Sequence, residues 1–141
     1  MYLLDTNVIS ELRRASCHSA VRAWRDSVSR YSIAIPAIVI GELQDGVELA
    51  RRQNPAKALE LDGWIDRIMK AYTVIPMDGA LFRECSRLMV GKPDHLMQDA
   101  MIAATARIHR LVVVTRNVKD FKTFDVPVFN PFTGKPKTLR P

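Results

Sequence analysis

Short apolar runs alternate with stretches of helical spacing along the chain. Tyr2-Leu3-Leu4 is stopped by Asp5-Thr6-Asn7, and Asp5 or Thr6 suits the cap of a helix carrying Val8, Ile9 and Leu12. From Ser19 to Val28, the residues Val21, Trp24 and Val28 fall three and four apart, the spacing of one helix face. Ser32 to Ile35 reads as a short buried strand. Pro36 fits the first turn of the next helix, which continues through Ile38, Val39, Glu42, Leu43, Val47 and Ala50. Asn54-Pro55 restarts a long helix, Lys57 to Tyr72, and Thr73-Val74-Ile75 is a further strand. Asp78 caps a helix bearing Leu81, Phe82, Cys85 and Leu88, which Gly91-Lys92-Pro93 breaks. Asp99 opens a helix to His109 whose Ala100, Ala103, Ala104 and Ala106 allow close packing. Leu111 to Val114 is the most strand-like run, and Val126-Pro127-Val128 reads as an edge strand. Strands that are apolar throughout and separated by helices indicate a parallel sheet covered on both faces. The predicted fold is one α/β domain, a three-layer α/β/α sandwich with a central parallel sheet.

Composition leaves that picture intact. A chain of 141 residues suits one domain, and 48% hydrophobic with 26% charged residues is ordinary for a globular protein. No apolar run is long enough for a bilayer, and the opening MYLLDTNVIS meets an acid at position 5, unlike a signal peptide. A cytoplasmic protein with no membrane role is expected. Cys17 and Cys85 show neither CxxC nor Cys/His spacing, so they read as reduced thiols and zinc has no support.

Charge does change the picture. The chain carries 21 Lys and Arg against 15 Asp and Glu, a net +6, which favours anionic partners with nucleic acid first. Residues 1–106 are neutral overall. The excess lies beyond, in Arg107, Arg110, Arg116, Lys119, Lys122, Lys135, Lys137 and Arg140 against Asp120 and Asp125. Residues 130–141, NPFTGKPKTLRP, hold three prolines and three of those cations and read as a partly mobile tail.

In open α/β sheets the working crevice lies at the carboxyl ends of the strands. Asp5 directly follows the first strand, Glu42 lies on the helix after the second, Asp99 opens the helix before the fourth, and Thr115, Asn117 and Asp120 follow the fourth. Asp5, Glu42 and Asp99 have apolar neighbours, where a carboxylate is costly unless it is paired or binds a metal. Converging acids repel, and divalent cations are the usual remedy. His18, His95 and His109 are scattered, which points to hard Mg²⁺ or Mn²⁺ rather than zinc. The chemistry that follows is metal-assisted phosphodiester hydrolysis. No Gly-rich phosphate loop, GxSxG or plausible Cys/His pair offers another route.

MYLLDTNVISEL, IVIGELQDGVELA, QDAMIAATARIH followed by LVVVTRNVKDF, and the ending DVPVFNPF resemble, as a set and in order, the PIN-domain ribonucleases. More closely they resemble the VapC/FitB-like toxins of type II toxin–antitoxin pairs. The resemblance covers residues 1–132, placing a nuclease domain there and a basic tail at 133–141. It implies a PIN fold and Mg²⁺- or Mn²⁺-dependent endoribonuclease activity. By the same resemblance Asp5, Glu42 and Asp99 are catalytic acids and metal ligands. The fourth acid has two candidate places, since some relatives carry an Asp where this chain has Asn117 and others an acid at the place of Asp120. Asp120 is adopted, with Asn117 and Thr115 shaping the pocket and Thr6 and Asn7 orienting Asp5 by hydrogen bonds. The family also implies a homodimer, a cognate antitoxin beside it, and operator DNA bound only through that antitoxin.

RNA approaching several carboxylates needs cations nearby. Arg116 is the first candidate for a phosphate contact, with Arg13 and Arg14 next. Two other readings compete. One is a catalytically silent PIN-like module acting within a toxin–antitoxin repressor complex. The other is a receiver-like phosphate acceptor, which expects a Lys after a late strand where this chain has Thr115-Arg116.

Overall fold

Residues 1–133 are described by a computed structural model, and residues 134–141, most of the tail expected at 133–141, lie outside the described residues. Five strands are present among them: β1 (Tyr2–Leu4), β2 (Ile33–Pro36), β3 (Thr73–Ile75), β4 (Val112–Val114) and β5 (Val128–Phe129). They form one sheet in the order β3-β2-β1-β4-β5, every pair parallel. β1 is central, with Tyr2 opposite both Ile33 and Val112. Leu3, Ile33, Ile35, Val113 and Val114 are fully buried, as strands covered on both faces require.

The helices are α1 (Thr6–Arg13), α2 (Ser19–Ser27), α3 (Ala37–Gln53), α4 (Pro55–Ala71), α5 (Gly79–Leu88), α6 (Met97–His109) and α7 (Val118–Lys122). The right-handed rule for parallel crossovers assigns α1 to α4 to one face, because β1, β2 and β3 step the same way across the sheet. The chain then reverses to reach β4 and β5, which sends α5 to α7 to the other face. Within each face α1 meets α2 and α3, α3 meets α4, and α6 meets α5 and α7, while α3 and α6 also touch each other. The three-layer sandwich is therefore the observed fold. The reversal also makes the gap between the carboxyl ends of β1 and β4 the topological switch point, where such sheets bind ligands.

Local chemistry explains most boundaries. Asn54 and Asp78 cap α4 and α5 through their side-chain oxygens. On α6, Ala100, Ala103, Ala104 and Ala106 are buried, and the lone buried hydroxyl, Thr105, donates to the Met101 carbonyl. Arg110 ends that helix in the left-handed conformation (φ 55°), and the Leu111 N–H reaches back to the Ala106 carbonyl at 2.9 Å.

Several boundaries differ from expectation, among them those of α4, which runs from Pro55 to Ala71 and not from Lys57 to Tyr72. Pro36 is the last residue of β2 and stands just ahead of α3, not in its first turn; its ψ of 141° keeps it extended, and ψ is the angle that a proline ring leaves open. Asp99 is the third residue of α6, because Asp94–Leu96 forms a 3-10 turn that leads straight into Met97. The edge strand is Val128–Phe129, starting two residues and ending one residue later than the Val126-Pro127-Val128 run, although the Pro127 carbonyl still accepts from the Val113 N–H. Beyond β5, Pro131–Thr133 closes in a further 3-10 turn packed against α2.

Candidate active site

Asp5 stands where β1 turns into α1, and it serves as the cap of that helix. It is only 7% exposed, so its carboxylate has to be satisfied by the protein. Oδ1 accepts from the Thr6 N–H at 2.7 Å. Oδ2 accepts from the Thr115 hydroxyl at 2.8 Å and the Asn7 amide at 3.2 Å. Burial pushes the Asp5 carboxyl above its ordinary range, and the bonds from Thr115, Thr6 and Asn7 oppose that.

Thr115 is the hub of this arrangement. It is fully buried at the end of β4, donates to Asp5, and accepts from the Asn117 N–H at 2.9 Å and the Asn7 amide at 3.2 Å. Asn7 closes the ring by accepting the Arg116 N–H at 3.1 Å. The ends of β1 and β4, whose backbones also pair through the Asp5 N–H and the Val114 carbonyl, are thus locked together at the switch point.

Glu42 comes from α3 and is half-buried. Its Oε2 accepts from the Thr6 hydroxyl at 2.8 Å. The expectation that Thr6 orients Asp5 is therefore corrected in part: its backbone serves Asp5, while its side chain serves Glu42. The hydroxyl projects from the first turn of α1 toward α3, away from its own cap. Burial raises the Glu42 carboxyl, the Thr6 bond lowers it, and the charges of Asp5 and Asp45 add smaller increases.

Asp99, in the first turn of α6, is the most perturbed of the acids. It is half-buried and, among the described residues, accepts no hydrogen bond. Burial first, then the charges of Asp5, Asp120 and Glu42, push its carboxyl from 3.8 to about 6, with His95 opposing. Four acids from separate parts of the chain thus share one electrostatic neighbourhood. Asp120, on α7, accepts from the Asn117 amide at 2.8 Å. Both candidates for the fourth position are therefore present together, with the amide orienting the acid.

The chemistry of the donor set suits a hard cation: every acid offers oxygen, and among the described residues Asp99 bears repulsion that no hydrogen-bond donor offsets. Among the described residues, no three acid, His or Cys side chains gather closely enough to enclose an ion. Mg²⁺ needs fewer, since it is commonly held by one or two carboxylates and keeps several waters. Asp5 and Asp99, with Glu42, fit that mode of binding.

The basic residues divide. Arg116 directly follows Thr115, and its backbone N–H bonds Asn7, the residue whose amide also serves Asp5. Arg13 and Arg14 lie at the far end of α1, about 12 Å along its axis from Asp5. There Arg14 pairs with Glu11 at 3.5 Å, and Arg13 stands 5.7 Å from the Trp64 ring centre. Arg13 also lines a separate cleft of about 290 Å³ between α1, α2 and α4, floored by Leu4, Ile9 and Trp64, that contains none of the four acids. Two contributions escaped sequence reasoning. The Thr6–Glu42 bond crosses between helices and has no local signal. Phe132, whose ring centre is 3.8 Å from the Arg116 guanidinium carbon, was visible only as part of the NPF run.

Comparison with known proteins is consistent across sequence and structure. The family model described as PIN domain matches residues 2–126. Toxin FitB of Neisseria gonorrhoeae is 33% identical over 138 residues, covering 94% of this chain and 99% of that protein. VapC ribonuclease Y4jK of Sinorhizobium fredii is 32% identical over 143 residues, covering 94% and 98%. The crystal structure of FitAcB from Neisseria gonorrhoeae superimposes with a TM-score of 0.83 at 35% identity, covering 94% of this chain and 99% of that one. Among the described residues, no helix is long and apolar enough to cross a membrane.

Proposed function

The chain belongs to the PIN domain family, and from that premise we propose that it is the toxin of a type II toxin–antitoxin pair, a Mg²⁺- or Mn²⁺-dependent endoribonuclease acting in the cytoplasm. The observation that carries the proposal is the gathering of Asp5, Glu42, Asp99 and Asp120 at the switch point, where burial first and then the charges of the other three push the Asp99 carboxyl up to about 6. Acids with no such work are not expected to converge on one half-buried crevice. The likeness to Toxin FitB and to a protein named a VapC ribonuclease supports the same reading.

Asp5, Asp99 and Glu42 would hold the cation. When bound, it lowers the pKa of an attacking water and offsets charge on the phosphate and the leaving oxygen. Thr115, Asn7 and the Thr6 N–H keep Asp5 in one rotamer, so its orientation is set before substrate arrives. Among the described residues Glu42 is held through one oxygen only, and its Oε1 is the place to receive a proton from water. Asn117 fixes Asp120 at the rim, and Arg116 supplies positive charge for the RNA backbone.

The partners proposed are RNA as substrate, a second copy of the chain, and a cognate antitoxin through which the pair reaches operator DNA. Several similar structures are toxin–antitoxin complexes, including FitAB bound to a DNA fragment. The silent-module reading has one supporting observation, the looseness of the acid grouping among the described residues. Cleavage of structured RNA by the antitoxin-free protein separates the two. Cleavage should require Mg²⁺ or Mn²⁺, stop with EDTA, and be lost in Asp5→Asn and Asp99→Asn. Equal cleavage by both variants, or in EDTA, defeats the nuclease proposal, and harmless expression without the antitoxin favours the silent module.

A further inference from the structure

The Asn130-Pro131-Phe132-Thr133 segment takes no part in the acid machinery, yet it is tightly built. Asn130 Oδ1 accepts from the Phe132 N–H at 2.9 Å, and the Asn130 carbonyl accepts from the Thr133 hydroxyl at 2.9 Å, closing the turn over a buried Pro131. The turn delivers Phe132 to a point between two other elements. Its ring meets His18 edge-on at 5.4 Å, at the start of α2. His18 is itself fastened there, its N–H donating to Glu11 and its Nδ1 accepting from the Ala20 N–H. On the other side, the guanidinium carbon of Arg116 lies 3.8 Å from the Phe132 ring centre.

Arg116 differs from Arg51 and Arg107 in what its guanidinium meets, and its 3.8 Å ring contact is closer than the 5.7 Å between Arg13 and Trp64. Arg51 and Arg107 spend their N–H groups on carboxylates and carbonyls. The exposed Arg116 donates its backbone N–H to Asn7, but among the described residues its guanidinium has no acceptor and no acid partner. Stacking engages the flat face of a guanidinium, while its N–H donors point outward from the edge. A stacked arginine therefore has reduced freedom before a ligand arrives and keeps its donors for that ligand. The adjoining residue, Thr115, holds Asp5.

We propose that Phe132 is a positioning residue that holds the Arg116 guanidinium beside the acidic crevice, ready to receive a phosphate of the RNA backbone. This rests on the ribonuclease reading above. It gives the NPF segment a role at the site although the segment supplies no acid.

The test is binding of a short, fluorescein-labelled, mixed-sequence RNA, followed by anisotropy over a KCl series in an Asp5→Asn background with EDTA. Phe132→Leu should weaken binding about threefold to fivefold at low salt, and Phe132→Trp should restore it. Arg116→Ala should weaken binding at least as much and flatten the dependence of log K on log salt by about 0.7. Adding Phe132→Leu to Arg116→Ala should change nothing further, whereas a merely structural phenylalanine would weaken binding in either background. Parental affinity in folded Phe132→Leu, an equal further loss in the double variant, or no measurable RNA binding overturns the proposal. If Phe132→Leu melts below the assay temperature, Arg116→Lys decides: it keeps the charge but gives up the planar stack, so about threefold weakening supports the proposal and parental affinity overturns it. Cleavage is followed separately on gels, so RNA cut by Asp5→Asn defeats the nuclease reading without touching these binding results.

Discussion

Asp99→Asn should make the metal-free protein more stable while removing its activity. The carboxyl is raised from 3.8 to about 6, chiefly by burial and then by Asp5, Asp120 and Glu42. Its charge therefore opposes folding. A shift of that size corresponds to at most about 3 kcal/mol at 1.36 kcal/mol per unit. The side chain is only half-buried, and solvent screening reduces this to about 1–1.5 kcal/mol. For a domain of this size that is about 3–6 °C in Tm. The folded value lies above the unfolded one, so the native state binds the extra proton. The destabilisation is complete above the folded value and is relieved as pH falls through about 6 toward 3.8. In EDTA, Asp99→Asn should thus melt above the parent at pH 7.5, and the gap should narrow at pH 5. Mg²⁺ should raise the parent's Tm more than the variant's, because a bound cation offsets the same repulsion. Scanning calorimetry of both proteins, with and without Mg²⁺, checks this. A variant that melts at or below the parent in EDTA at pH 7.5, or a gap that does not depend on pH, refutes the electrostatic reasoning.

Thr115→Val removes a buried donor to Asp5 and the acceptor used by Asn117 and Asn7. It should cost about 2–3 kcal/mol in urea unfolding and reduce cleavage at least about tenfold, and an unchanged urea midpoint would contradict the hub role. Thr6→Ala keeps the backbone bond to Asp5 and loses only the one to Glu42. Stability should change by less than about 1 kcal/mol, while kcat falls about tenfold with KM nearly constant; a change confined to KM would argue against the proton-handling role of Glu42. Ala103→Leu forces a large side chain into a fully buried position on α6 and should destabilise by about 1–3 kcal/mol, read as a lower Tm.

Much of the architecture is written locally. Asp5, Asn54 and Asp78 stand at helix starts because each offers a short oxygen-bearing side chain to nearby N–H groups, a choice settled within a few residues. The unbroken apolar runs at Leu3, Ile33 and Val113 already state burial on both faces, and with intervening helices that implies a parallel sheet. Asp5, Glu42 and Asp99 could be chosen as candidates because carboxylates beside apolar residues are costly without a purpose.

Pairings between distant residues were not legible. Thr115 meets Asp5 across 110 positions, and Thr6 turns to Glu42 across 36. Neither follows from spacing, because a side chain's partner depends on which elements become neighbours. The strand order β3-β2-β1-β4-β5 decides that: it sets β4 against β1 and creates the crevice between their ends. The same packing separates cations that look equivalent along the chain, sending Arg13 and Arg14 to the far end of α1 and laying Arg116 on Phe132. Hydrophobic periodicity and capping are short-range effects, so the chain alone determined its elements, their burial and its candidate acids. Placing those acids in one repulsive crevice, with donors for Asp5 and, among the described residues, none for Asp99, required the assembled sheet and the desolvation that comes with it.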